Sequence, residues 1–247
     1  MKIVSLNVEF DKHHDVILPF LKKEDPDVVC LQELLEADFE MFKKELGMSG
    51  TYKPIEYIWF PHYGGPQDIR QGAAIFAKNF IEAGYEYYVG SEENINHNFK
   101  DYFADESLHK NNVLLVAKVA DKNGVEFTIA TTHFTLTQNG ESTPLQLENL
   151  DKLFALLSNF PEIVFVGDMN APRGFETFTR LSKKYKDNIP AEYKTSIDVT
   201  IHRNGMNCAE RMVDGLFTTP DYTASNVKLV NGLSDHMAIV ADVEHTK

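Results

Sequence analysis

The segment NVLLVAKVADKNGVEFTIATTH, residues 112–133, holds two apolar runs separated by the turn DKNG. An Asn-Gly step between two such runs is the mark of a β-hairpin, and the spacing predicts antiparallel strands over 112–120 and 125–133. A hairpin argues against a purely parallel sheet. It fits strands with helices on their outer faces, including two sheets packed on each other. Further strands are predicted near 2–8, 27–32, 53–60, 72–77, 163–168, 212–218, 226–230 and 237–243, and helices near 14–23, 36–46, 144–158 and 175–185. The third helix has the clearest start, with Thr143 as cap, Pro144 at the first position, and Leu147, Leu150, Leu153, Phe154 and Leu157 on one face.

No linker, low-complexity run or repeat divides the 247 residues, so one domain over 1–247 is expected. The chain carries 37 acidic and 24 basic residues for a formal charge of −13, a surface that repels polyanions on average. Tight non-specific nucleic-acid binding is therefore disfavoured, whereas a phosphate in a cleft with a divalent cation is not. Two cysteines, Cys30 and Cys208, make neither a disulfide framework nor a zinc site, and Cys30 in DVVCL reads as a small buried hydrophobe. The opening MKIVSLNVEF lacks a leader pattern and no segment has the length of a membrane span, so a cytoplasmic monomer with no membrane partner is the expectation.

Polar residues recur where these apolar strands end or begin. Asn7 and Glu9 follow KIVSL, Glu33 ends DVVCLQE, His133 ends FTIATTH, Asp168 and Asn170 follow VFVG, Asp214 lies in RMVDGLF, and Asp235 and His236 precede MAIVADV. Taken singly, each is more often a turn, a cap or a structural histidine; VGDMNAPRG alone fits an Asx turn closed by Pro172 and Gly174 as well as it fits a site. Together they form a set of carboxylates, carboxamides and imidazoles with no nucleophilic serine or cysteine motif. Such oxygen donors suit Mg²⁺ or Mn²⁺, which complete their shells with water and phosphate. The nine histidines show no HExxH spacing for zinc.

The motifs SLNVE, VVCLQEL, TTHF, VGDMN, VDGLF and LSDH, in this order from Asn7 to His236, resemble the endonuclease/exonuclease/phosphatase superfamily of pancreatic-type DNases, exonuclease III-like repair enzymes, inositol-phosphate phosphatases and neutral sphingomyelinases. The resemblance implies a DNase I-like α/β four-layer sandwich: two packed mixed β-sheets flanked by helices, with the site where strand-end loops of both sheets converge. It implies that Glu33 is the principal metal ligand with Asn7 and Asp235 nearby, and Glu9 at a position where relatives often have Asn or Asp. Asp168 matches the residue that orients or deprotonates the attacking water, and Asn170 a donor to nucleophile or phosphate. His236 matches the imidazole on the scissile phosphate, held by Asp214, and His133 the histidine of DNase-like and sphingomyelinase-like members.

The implied reaction is in-line attack of water on phosphorus without a covalent enzyme intermediate. The substrate expected first is DNA or RNA, the alternative a small or lipid-derived phosphate, and a binding module that has lost catalysis is the third reading. The stretch 85–112, rich in aromatics, reads as an irregular rim carrying Lys100, Tyr102, Phe103 and His109, and the loop 195–211 brings His202, Arg203 and Arg211. Lys100, Tyr102, Arg203 and Arg211 are the candidate substrate contacts.

Overall fold

A computed structural model describes residues 1–60, 65–95 and 111–246. In chain order the elements are β1 (Lys2–Asn7), α1 (His14–Glu24), β2 (Val28–Leu35), α2 (Phe39–Leu46), β3 (Ser49–Phe60), β4 (Gly65–Ala77), β5 (Phe80–Val89), β6 (Asn112–Ala120), β7 (Glu126–His133), α3 (Pro144–Leu157), β8 (Val164–Asp168), α4 (Glu176–Lys184), β9 (Lys186–Asp187), β10 (Asp214–Thr218), β11 (Tyr222–Val230) and β12 (Ala238–His245). They form two six-stranded sheets, β11-β12-β1-β2-β4-β3 and β5-β6-β7-β8-β10-β9.

Alternation along the strands explains the layering. Ile3, Val28, Cys30 and Ile75 of the first sheet meet Leu115, Ile129, Val164 and Leu216 of the second in a shared middle core. Their neighbours Val4, Leu6, Val29 and Leu31 face outward beneath Ile17 and Leu21 of α1 and Phe42 of α2. Leu114, Ala130, Phe165 and Phe217 likewise face outward beneath α3 and α4. Strands covered on both faces read as unbroken apolar runs, which is why the sequence shows them so plainly. The result is the expected α/β sandwich of two mixed sheets with helices outside.

The two sheets repeat one local plan. β1 runs parallel to β2, with β12 antiparallel beside β1. β7 runs parallel to β8, with β10 antiparallel beside β8. Four strand C-termini and two strand N-termini therefore arrive at one edge of the sandwich. The predicted hairpin is present, with Ala120 opposite Glu126, and Thr143 caps α3 by accepting the Gln146 N–H at 3.2 Å.

The expected irregular rim over 85–112 needs correction at its start. Residues 85–89 belong to β5, an edge strand whose side chains are largely exposed and so lack the apolar signature. β11 begins at Tyr222 rather than near 226, because a bulge between Ser225 and Lys228 interrupts its pattern. Lys100, Tyr102, Phe103 and His109 lie outside the described residues.

Candidate active site

Asn7 ends β1, His133 ends β7 and Asp168 ends β8, while Asp214 opens β10 and Asp235 and His236 precede β12. Glu33 reaches the same edge by a less obvious route. Regular alternation would put Glu33 on the face of Leu31, under the outer helices. Instead the β2–β4 register slips between Leu31 and Leu34, and Glu33 takes φ +57°. The bulge lets Leu31 and Leu34 both stay in the outer core and turns Glu33 to the cleft. A left-handed non-glycine residue costs about 1–2 kcal/mol, which the flanking buried strand offsets.

Asp168 has two separate tasks for its two oxygens. Oδ1 accepts the Asn170 N–H at 2.8 Å, the Asx turn that the bland reading of the sequence called for. Oδ2 faces the site, 3.2 Å from Asn7 Nδ2, 3.4 Å from His133 Nε2 and 3.7 Å from His236 Nε2. Asn7 Nδ2 also donates to Glu33 Oε1 at 3.1 Å, and Glu33 Oε1 lies 3.8 Å from His133 Nε2. Burial opposes ionisation of Asp168, but the charge of His236 and the hydrogen bond from His133 outweigh it and hold the carboxyl below its ordinary range.

His236 Nδ1 lies 2.8 Å from Asp214 Oδ2, leaving Nε2 toward Asp168. Burial disfavours the charged ring, yet Asp214 and Asp168 raise it well above an ordinary histidine. Burial raises Asp214, with repulsion from Asp168 added and attraction to His236 opposing. Asp235 is raised mainly by burial; its Oδ1 accepts from Ser234 Oγ at 3.3 Å and its Oδ2 lies 3.9 Å from His202 Nε2.

Asp168, Asp214 and His236 present ligand-type atoms within 4.8 Å of one another. An ion there would displace the proton shared by His236 and Asp214, so this trio is better suited to carrying a proton. The cation-compatible side of the cleft is that of Glu33 and Asp235, whose carboxylates both line it, while Asn7 turns its Nδ2 toward Glu33 and its Oδ1 accepts the Glu9 N–H at 3.2 Å. That donor chemistry suits a hard divalent cation. Glu9 is near but engaged: its carboxylate pairs with Lys12 and, at 2.9 Å, with His13 Nε2. Those pairings hold it below the usual range against the opposing effect of burial.

Asn170 lines the cleft, but its Nδ2 donates to Phe134 O at 2.9 Å, so part of its donor capacity is spent on the fold. Arg203 lies on the cleft wall; Arg211 lies beyond it and donates to Asn139 O at 2.7 Å. The cleft, about 380 Å³, thus holds Glu9, Glu33, His133, Asp168, Asp235 and His236 together.

Two supports escaped sequence reading. Gln32 Nε2, fully buried, donates to Ser5 Oγ at 3.3 Å and across the sheets to Thr131 Oγ1 at 2.9 Å. Its only signal is a polar residue inside an apolar strand. Ser196 Oγ accepts the N–H groups of Val213 at 3.1 Å and Asp214 at 3.0 Å, fixing the start of β10. Ser196→Ala strands two buried donors and is expected to lower the unfolding free energy by about 1–3 kcal/mol in denaturant titration. An unchanged midpoint would mean that water replaces the hydroxyl.

Comparison with known proteins identifies the family and the fold. Residues 4–236 match the model of the Endonuclease/Exonuclease/phosphatase family. A Bacteroides vulgatus endonuclease/exonuclease/phosphatase structure aligns with TM-score 0.71 and 18% identity, covering 99% of this chain and 98% of that one. The human Nocturnin catalytic domain aligns with TM-score 0.67 and 17% identity over 100% and 93% of the two chains. A Bacteroides thetaiotaomicron mannosyl-6-phosphatase aligns with TM-score 0.67 and 13% identity over 99% of each. No curated protein matches the chain significantly. With a family match over nearly its whole length and two mixed sheets meeting in this cleft, the chain belongs to the endonuclease/exonuclease/phosphatase family of phosphoester hydrolases.

Proposed function

We propose that the protein is a Mg²⁺- or Mn²⁺-dependent phosphoester hydrolase that works by direct attack of water on phosphorus. The observation that carries this reading is the convergence on one sandwich edge of Glu33, Asn7 and Asp235 with the linked group Asp168, His133, His236 and Asp214. Glu33 would hold the cation, assisted by Asp235, while Asn7, expected from sequence as a further ligand, spends its Nδ2 on orienting the carboxylates of Glu33 and Asp168. When bound, the cation neutralises charge on the phosphoryl oxygens.

The side chains divide the remaining work. Asp168 Oδ2, kept ionised, accepts a hydrogen bond from the attacking water and orients it; its low proton affinity suits orientation better than outright proton removal. His236, kept protonated by Asp214, donates from Nε2 to a phosphate oxygen. His133 Nε2 supplies a proton to the departing alkoxide as the new P–O bond forms and the old one breaks, and the proton shed by the attacking water passes to the product phosphate and from there restores His133. Asn170 and Asp214 position these groups.

Expected first from sequence, a nucleic-acid substrate would meet little basic surface here. Among the described residues, the cleft and its neighbouring hollow are lined by three Lys or Arg residues, Lys12, Arg203 and Arg211, with Lys12 already paired to Glu9. This favours the alternative, a small phosphoester, or at most a short stretch of backbone.

Turnover of a panel of mono- and diesters should vanish in excess chelator and return with Mg²⁺ or Mn²⁺. Glu33→Gln should weaken Mn²⁺ binding measured by calorimetry at least tenfold and depress turnover with it. Full turnover in chelator would end this reading.

A further inference from the structure

A second hollow of about 300 Å³ adjoins the catalytic cleft, and the two share Asn170, His202, Arg203 and His236 in their walls. Their electrostatic characters differ sharply. Glu9, Glu33, Glu56, Asp168 and Asp235 line the cleft, whereas among the described residues no Asp or Glu lines the hollow, which instead has Arg203, Arg211 and two imidazoles. On a chain of formal charge −13, a concavity with bases and no acids is a local reversal of sign.

The hollow is also built rather than incidental. Arg211 Nη1 donates to Asn139 O at 2.7 Å, which holds the guanidinium against the turn at 137–140 and leaves the rest of its donor fork for another acceptor. Gly140 sits in that turn with φ +71°, and a Cβ there would lie 2.4 Å from Pro172 Cδ, so the wall is closely packed. On the shared wall His202 Nδ1 accepts the Asn204 N–H at 3.1 Å, which puts the neutral ring's proton on Nε2, the nitrogen nearer Asp235. Carboxamides and hydroxyls of Thr137, Gln138, Asn139 and Asn204 complete a lining suited to a hydroxylated group.

We propose that this hollow is an anion subsite for the alcohol side of the substrate, so that the enzyme acts on a compact phosphoester bearing a second phosphate or carboxylate. Its volume corresponds to about ten water molecules, room for a sugar-sized group with one anion. The proposal rests on the phosphoester-hydrolase reading and adds the substrate class. Reaction occurs at the phosphate beside Asp168, while Arg203 and Arg211 hold the second anion intact.

The test compares pairs that differ by one anionic group: adenosine 5′-monophosphate with adenosine 3′,5′-bisphosphate, and glucose 6-phosphate with glucose 1,6-bisphosphate and 6-phosphogluconate. A short single-stranded oligonucleotide is a further arm. The doubly anionic member of a pair should have a kcat/KM at least about tenfold higher, as charge-assisted contacts to an anion allow. Arg203→Gln and Arg211→Gln should bring that ratio close to one, and Arg203→Lys should restore part of it. The bisphosphate and phosphogluconate arms distinguish phosphate from carboxylate as the second anion. Equal kcat/KM within every pair that turns over, or a ratio untouched by both substitutions, overturns the proposal. Preference for the oligonucleotide, growing with its length, overturns it in favour of a polymer substrate. If no phosphoester is turned over, the hydrolase reading fails separately, and the subsite is judged by calorimetry with adenosine 3′,5′-bisphosphate. Affinity at least tenfold weaker in the double variant then supports the subsite, while absent or unchanged binding removes it.

Discussion

Asp168→Asn should lower turnover by about 10²-fold, the order of loss that follows when a reacting group is no longer held in its attacking geometry. The same change should be felt in stability, and the hydrogen bonds say why. Whichever way the amide is oriented, its NH₂ faces a donor already aimed at it, Asn7 Nδ2 on one side or the Asn170 N–H on the other. One such buried conflict costs about 1–3 kcal/mol, within what a domain of this size tolerates while remaining folded. Kinetics well below the thermal midpoint, with circular dichroism to confirm the fold, separates the chemical loss from the structural one. A folded variant with near-normal turnover would reduce Asp168 to its turn-forming role.

The adjacent glycine is expected to give the largest stability change. Gly167 has φ +144°, and a Cβ placed on it would lie 2.1 Å from the carbonyl oxygen of Thr132 on the neighbouring strand. Neither atom can yield without breaking the β7–β8 pairing that aligns His133 with Asp168. Gly167→Ala therefore combines an unfavourable backbone conformation with an overlap against main chain. The cost should be about 4 kcal/mol, a fall in Tm of about 10 °C, with turnover reduced even below that temperature. A variant with unchanged Tm would show that β8 can shift away from β7 at no cost.

How much of this was visible in the sequence depends on how local each determinant is. The strand-end residues Asn7, His133, Asp168 and His236 were legible because each follows or precedes a run buried on both faces. β5 was not, because an exposed edge strand such as FIEAGYEYYV carries no such run. Glu33 could be named by its place in LQE, but its aim could not, since it depends on a bulge opposite β4. The engagement of Glu9 by Lys12 and His13 was available in the i+3 and i+4 spacing of EFDKHH. The Gln32–Thr131 bond joins residues 99 apart, and nothing local foretells it. Arg203 and Arg211 were noticed as cations; that they share an acid-free hollow required the fold.

The division of the site between two sheets has a mechanical consequence. Asn7, Glu33, Asp235 and His236 ride on one sheet, while His133, Asp168 and Asp214 ride on the other. Neither layer carries a usable half, so catalysis gauges how faithfully the layers keep their alignment. A sliding displacement of an ångström or so would leave every strand hydrogen bond intact and yet part Asp168 from both Asn7 and His236. Gln32, one of the side chains that bridge the layers, is placed like a dowel against such shear. Activity in this architecture should therefore fade under mild perturbation while far-ultraviolet dichroism is still unchanged, and the enzyme becomes its own strain sensor.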